Sequence, residues 1–414
     1  MRIPISLFLC AWTAPLLAGP PLSLGRVQEL AVERQPALAA LQAGAASARH
    51  AAAAEGQLPD PRLKLALQNV PTQTFSLTED PMTQTMVAVE QMIPGGNKRE
   101  LRRRRMEAEA GQMDAELAAQ RAAIRRDAGL AYLNLVGTAR QAALLRELQA
   151  QTRLQVDAER IGAATGRASQ ADALTARQML TMVRDREAEL AIQLAVGRAE
   201  LGRWIGAAAD DPLPDSLPEQ PAAPALADLE AGLAEHPTHS AQSGSVNTAA
   251  ADLALAREST RPDKSIEIGY GKRSQQFGDM LSVQFAMELP LFPGERQDRQ
   301  VASRQAQLER ARALEEDHLR MLRADLASLY AQWNGTRERL RRIEEELAAD
   351  AARRAESALA AYRSGRGELA PVLEARRAEI EARLQAVQLA TQVARLRLQI
   401  GYYEHAGESH EQPR

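Results

Sequence analysis

The chain has 414 residues and a mass of 45.1 kDa, too long for a small disulfide scaffold and long enough for two or three ordinary domains or one elongated molecule. Its 51 basic and 54 acidic side chains nearly cancel to a net charge of -3, and aromatic residues make up only 3%, so neither a global field nor stacking rings favours nucleic acid. The remainder is rich in Ala, Leu, Glu, Gln and Arg, the composition of long helices packed side by side.

Residues 1–18 read as a secretory signal: Arg2 gives a positive start, Ile3 to Leu17 are mostly apolar, and Ala18 with Gly19 offers small residues for cleavage. Cys10 is the only cysteine, so the processed chain is expected to hold no disulfide, thiolate metal site or cysteine nucleophile. Leu9 is larger than the Gly or Ala that precedes a lipidated cysteine, and no lipid anchor is expected. Nothing downstream approaches 18 uninterrupted apolar residues, so a membrane-entering form of this chain must be a closed β-barrel.

From residue 19 onward the sequence contains itself twice. Pro36 recurs as Pro237, Pro59-Asp60 as Pro262-Asp263, Pro94-Gly95 as Pro293-Gly294, Tyr132 as Tyr330, Gly166-Arg167 as Gly365-Arg366 and Ile205-Gly206 as Ile400-Gly401, at offsets of 195 to 203. Ordered proline and glycine punctuation does not arise from Ala-rich composition alone, so a tandem duplication is predicted. The first repeat runs over 19–211, a Pro-rich linker over 212–224, the second repeat over 225–403 and a flexible tail over 404–414.

Each repeat follows one plan. A helix from Pro36 to Gln57 precedes two alternating segments, then a very long helix from about Asn97 to Ile161, a Gly-marked reversal, and a returning helix from about Ser169 to Trp204. At 1.5 Å per residue the long helix would extend about 95 to 100 Å. Leu117, Ile124, Ala128, Leu135, Ala142 and Leu145 advance with coiled-coil spacing, as do Leu373, Ile380, Leu384, Val387, Ala394 and Leu398 in the second repeat.

The segments between helices alternate with period two. Leu63, Leu65 and Leu67 oppose Lys64, Ala66 and Gln68; Thr85, Val87 and Val89 oppose Met86, Ala88 and Glu90. In the second repeat Ile266, Ile268 and Tyr270 alternate with Ser265, Glu267, Gly269 and Gly271, and Leu281, Val283, Phe285, Met287 and Leu289 with Ser282, Gln284, Ala286 and Glu288. Each repeat thus offers one hairpin with strands of about 9 to 11 residues, the length of a tilted transmembrane strand. Four strands cannot close a barrel, whereas three copies would give twelve. A soluble sheet packed on helices by one face would alternate equally, and alternation alone does not separate the two.

In this order the residues resemble the TolC-type outer-membrane efflux channel family. The likeness covers roughly residues 22 to 403, through Leu22-Ser23-Leu24, Leu30 to Leu38, the junctions Gln91-Met92-Ile93-Pro94-Gly95-Gly96 and Leu289-Pro290-Leu291-Phe292-Pro293-Gly294, and the tips Gly166-Arg167 and Tyr362-Arg363-Ser364-Gly365. The resemblance implies a mainly α fold with transmembrane β structure, in which duplicated long-helix hairpins form a trimeric α-barrel below a 12-stranded β-barrel, four strands per protomer. It further implies a homotrimer in the outer membrane of a Gram-negative bacterium, in contact with lipid, with a large periplasmic helical portion. Its partners would be a periplasmic adaptor (membrane fusion) protein and an inner-membrane pump of the RND type. Asp80-Pro81-Met82, Val87 to Gln91 and Ile93 to Arg99 are most similar to the branch that exports heavy-metal cations. Asn97 interrupts that branch's Gly-Lys-Arg order, and Gln35 stands where Asn is usual.

No catalytic constellation emerges, so no enzyme and no cofactor are expected. His236 and His239 are separated by Pro237 and lack a completing carboxylate or thiol, which reads as an exposed helix start rather than a metal site. Met82, Met86, Met92, Met280 and Met287 read as packing around the strands. At the helix reversals Gly162, Gly166, Gly365 and Gly367 allow the positive φ of a tight turn, and Arg167 and Arg366 would project toward an adaptor. The resemblance places a ring of carboxylates at the pore constriction: Glu374 matches one position, and the other is Pro371. Asp172, its repeat equivalent at an offset of 199, would restore a carboxylate, and Tyr362 would hydrogen-bond between helices to hold the entrance shut. Such a channel is a passive duct driven by its pump. The alternative function is a soluble periplasmic coiled-coil interaction scaffold without a pore.

Overall fold

The computed structural model describes residues 21–166, 169–274 and 276–404; the predicted signal, Cys10, Arg167 and nearly all of the C-terminal tail lie outside them. In chain order the first half forms α1 (Leu24–Arg34), α2 (Pro36–Glu55), β1 (Arg62–Gln68), β2 (Gln84–Ile93), α3 (Lys98–Ala164) and α4 (Gln170–Ile205). The second half forms α5 (Leu226–Gly232), α6 (Pro237–Glu258), β3 (Lys264–Lys272), β4 (Met280–Met287), α7 (Gln297–Arg342), a π-helical turn at Ile343–Ala348, α8 (Ala349–Arg363) and α9 (Leu369–Gly401).

The second long helix departs from the first. α3 is unbroken over 67 residues, while its counterpart consists of α7, the π turn and α8, of 46, 6 and 15 residues. The cause is legible in the numbering. Tyr132 and Gly166 are 34 residues apart, whereas Tyr330 and Gly365 are 35 apart, and one extra residue inside a helix is absorbed as a π bulge.

The chain divides into two compact units, each drawing on both halves, with α3 and α7 contributing to both. Of the described residues, one unit holds 21–35, 123–166, 169–224 and 328–402. Its core lies along the predicted seams: Leu144, Leu145, Leu148 and Leu190 meet Ile380, Leu384 and Val387. Ile124, Ala128, Leu135 and Leu373 are buried as well. Small residues set the helix spacing, since a Cβ at Gly137 would lie 2.4 Å from Thr391 Oγ1. The repeat symmetry reaches single hydrogen bonds. Tyr132 Oη donates to Leu22 O at 2.6 Å, and Tyr330 Oη, its equivalent, donates to Pro224 O at 3.2 Å. The Pro-rich segment is strapped down, with Leu22 N donating to Pro212 O and Arg397 donating to Pro221 O and Ala222 O.

The other unit holds, of the described residues, 36–122, 225–274, 276–327 and 403–404. α6 is capped by His236, whose Nδ1 accepts from Thr238 N, with Pro237 in the first turn. His236 is fully buried, which corrects the expected exposed helix start: the imidazole caps the helix and lies 5.4 Å from the Tyr403 ring, centroid to centroid. The two hairpins join into one antiparallel sheet of order β1-β2-β3-β4. Its strands have 7, 10, 9 and 8 residues, a little shorter than expected. β4 ends at Met287 because Pro290 lacks the N–H needed to extend a ladder. At the strand-to-helix junction, Asp263 Oδ1 accepts from Gly95 N at 2.8 Å and from Lys98 Nζ at 2.7 Å. A Cβ at Gly95 would lie 2.1 Å from Pro262 O, so the recurring Pro-Gly and Pro-Asp pairs are the two halves of one contact.

Candidate functional site

The register of the sheet sorts its side chains onto two faces. On one face the rows read Leu63, Val89, Ile268, Val283 and Leu65, Val87, Tyr270, Leu281. On the other they read Lys64, Ala88, Gly269, Ser282 and Arg62, Glu90, Glu267, Gln284. Among the described residues no helix covers the apolar face: Leu65 is 73% exposed, Val283 70% and Phe285 59%. A soluble sheet hides its apolar face against another layer, and a contiguous apolar surface of this extent marks contact with lipid or with another chain.

Along β2 and β3 the polar face is the less accessible one. There Lys64 Nζ reaches Glu267 at 2.6 Å and Glu90 at 3.0 Å. The reach is possible because its own row holds only Ala88, Gly269 and Ser282, which leave room for a long side chain to lie across three strands. This bridge was missed from sequence, although Lys64 and Glu267 occupy equivalent repeat positions on the polar faces of their strands. At the far end the loops of the two hairpins are joined, Arg273 Nη1 donating to Pro81 O and Gln276 Nε2 to Thr78 O. Of the methionines, Met86 and Met280 share one polar-face row with Ala66 and Gly271.

The helix reversals carry the other predicted residues. Gly166 and Gly365 both adopt φ 71°, the left-handed conformation that glycine tolerates without strain. Gly162 lies inside α3, and neither it nor Gly367 has positive φ, so only one glycine per turn uses that freedom. Arg366 is exposed beside Gly365, and a shallow depression lined by Glu356, Leu359, Arg363, Ser364 and Arg376 lies next to it.

Asp172 closes a capping box at the start of α4, accepting from Ser169 N at 3.1 Å and from Ser169 Oγ at 2.7 Å. The Ser169 hydroxyl and backbone N–H hold its carboxyl below the usual range. In the second repeat the corresponding start has Glu368 as a cap without a side-chain bond, and Glu374 is exposed in α9. Arg377 Nη1 lies 2.7 Å from Met179 Sδ, so α4 and α9 meet within two turns of both carboxylates. Tyr362 is 43% exposed at the end of α8. Among the described residues its hydroxyl makes no hydrogen bond, so the helix-to-helix bond expected of it is absent within one protomer.

Among the described residues no helix is long and apolar enough to cross a membrane, and no group of three or more potential ligands could hold a metal ion. Residues 229–400 match the family model described as outer membrane efflux protein. Among solved structures, the chain's fold is similar to that of a membrane protein from Pseudomonas aeruginosa, at 18% identity and TM-score 0.76, over 92% of this chain and 93% of that one. It is also similar to the outer membrane protein VceC from Vibrio cholerae, at 18% identity and TM-score 0.75, over 92% and 95%. The Campylobacter jejuni CmeC outer membrane channel aligns at 12% identity and TM-score 0.76, over 100% and 95%. No curated protein matches the sequence. The uncovered apolar face of the sheet is a surface for contact with lipid or with another chain.

Proposed function

We propose that the mature chain assembles as a homotrimer and serves as the passive exit duct of a tripartite efflux system, receiving solute from an inner-membrane pump through a periplasmic adaptor. The observation that carries this reading is the four-stranded sheet, apolar and bare on one face, polar on the other, with both edges unpaired. In lipid an unpaired strand edge leaves backbone N–H and C=O groups without partners, each at a cost of several kcal/mol, so the sheet must be closed. Three copies give the twelve strands that enclose a water-filled lumen.

The turns at Gly166 and Gly365, with Arg366 and the depression beside it, are the docking points for the adaptor. Arg167, outside the described residues, belongs to the same proposal, as do Gly162 and Gly367. Glu374 and Asp172 supply negative charge at the entrance, three copies of each around the axis, with Tyr362 at the same end; such rings favour cations. The cargo class proposed is heavy-metal cations, supported by the Asp80-Pro81-Met82 and Ile93 to Arg99 motifs. Energy comes from the pump, and opening is a small rotation of helix pairs biased by adaptor binding.

Membrane fractionation followed by cross-linking tests the assembly, and planar-bilayer recording of the purified trimer tests the duct. A detergent-dependent trimer with stable conductance is expected. A monomer that stays in aqueous fractions would return the chain to the scaffold function.

A further inference from the structure

The internal repeat specifies a contact that one chain cannot make. Within the sheet, β2 of the first repeat pairs with β3 of the second, and Glu90 stands opposite Glu267. The repeat equivalents of these two strands are β4 and β1, the two open edges. Val87-Ala88-Val89-Glu90 corresponds to Phe285-Ala286-Met287-Glu288 at an offset of 198, and Leu63-Lys64-Leu65 corresponds to Ile266-Glu267-Ile268 at an offset of 203. Carrying the β2–β3 register across these offsets sets Glu288 opposite Lys64, Ala286 opposite Ala66, Gln284 opposite Gln68, and Leu289, Met287 and Phe285 opposite Leu63, Leu65 and Leu67.

Three observations independent of the repeat agree with this register. Both faces match along the whole seam, apolar with apolar and polar with polar, which a slip of one residue would destroy. A slip of two keeps the faces but sets Lys64 against Pro290 or Ala286, so only one register brings Lys64 to Glu288. Glu288 is still in ladder geometry, its N–H donating to Asp263 O at 3.2 Å, although the strand proper ends one residue earlier.

The junction below the strands is also half-built. Gly95 is closed over by Pro262 and bonded to Asp263, whereas its counterpart Gly294 has open space, with no atom of another residue nearer than 4.0 Å to a Cβ placed there. The counterparts of Pro262 and Asp263 are Pro59 and Asp60, just before β1, and that of Lys98 is Gln297. Leu289, Leu291 and Phe292 beside this vacancy are 62%, 73% and 78% exposed.

We infer that the occupant of the β4 edge is β1 of a second copy of this chain in the register that pairs Glu288 with Lys64, and that Pro59-Asp60 of that copy closes over Gly294. Lys64, already holding Glu90 and Glu267 of its own chain, then gains a carboxylate across the seam, so one ammonium ties together four strands from two protomers. The inference rests on the trimeric duct proposed above and adds its register and its partner residues.

Cysteine pairs in the full-length chain, exported to the outer membrane, test it. Ala66→Cys with Ala286→Cys places thiols directly opposite on the lumen face, while Ala66→Cys with Gln284→Cys or with Glu288→Cys reports slips of two residues in either sense. Expected is efficient cross-linking of the first pair under mild oxidation, giving covalent trimers on non-reducing gels, at least about tenfold above either control. Dominance of a control pair, or trimers that none of the three pairs cross-links, overturns the register while leaving the duct standing. Failure of the unsubstituted chain to form trimers overturns both. As a second measurement, Glu288→Lys opposes Lys64 with a like charge and is expected to lower the temperature at which the trimer dissociates in detergent, whereas unchanged dissociation counts against the pairing.

Discussion

Replacing Val283 with Lys separates a lipid-facing sheet from a solvent-facing one. Val283 is 70% exposed in the protomer, and by the ordinary rule for surface positions such a change would stay within about 0.5 kcal/mol. Its row, Leu63, Val89, Ile268 and Val283, is near the middle of the strands, at the depth where a Lys facing lipid costs about 2–4 kcal/mol. Three copies on well-separated seams add, to about 6–12 kcal/mol per trimer. The control is Gln284→Lys, one residue along and facing the lumen, where the ammonium stays in water. The assay is insertion into outer-membrane lipid, read by heat-modified gel mobility and by the urea midpoint of the inserted trimer. Val283→Lys should fail to insert or lose most of its urea resistance while Gln284→Lys behaves as the parent. Equal insertion of the two variants would refute the assignment of faces and with it the membrane barrel.

The remaining expectations concern the helical part. Tyr132→Phe leaves the buried carbonyl of Leu22 without its donor and should cost about 1–3 kcal/mol. Tyr330→Phe, which loses a longer and more exposed bond, should cost less, and helix unfolding by circular dichroism in urea would rank them. His318, beside the nearly parallel ring of His239, is held below its ordinary 6.5 by burial and then by that neighbour. Because the folded value is depressed, its contribution is present above about pH 6.5 and is lost as pH falls. His318→Gln should therefore flatten the dependence of the urea midpoint between pH 8 and 5, and parallel curves would count against it. Glu374→Ala should reduce cation preference in single-channel recordings, while unchanged records would remove the ring from the account.

The duplication was legible because proline and glycine mark backbone requirements that survive drift in sequence. The asymmetry of the two long helices was legible too, in the single residue that lengthens the stretch from Tyr330 to Gly365, but only the fold shows that it is absorbed as the π turn at Ile343–Ala348. α1 escaped notice because its 11 residues run straight into Pro36, so one helix appeared to begin there. His236 misled for a physical reason: a histidine beside a proline at a helix start resembles exposed capping, and burial depends on what packs over it, here Tyr403.

Sequence by itself determined the repeat plan, the faces of each strand and the seams of the long helices, because these follow from periodicities of two and about 3.5 that every local stretch carries. Which strands become neighbours, and therefore that Lys64 binds Glu90 and Glu267, that Asp263 receives Gly95, and that β1 and β4 remain open, was decided only by tertiary structure. Those contacts join residues 26 to 203 positions apart, and their geometry is set by sheet register, which no local pattern encodes.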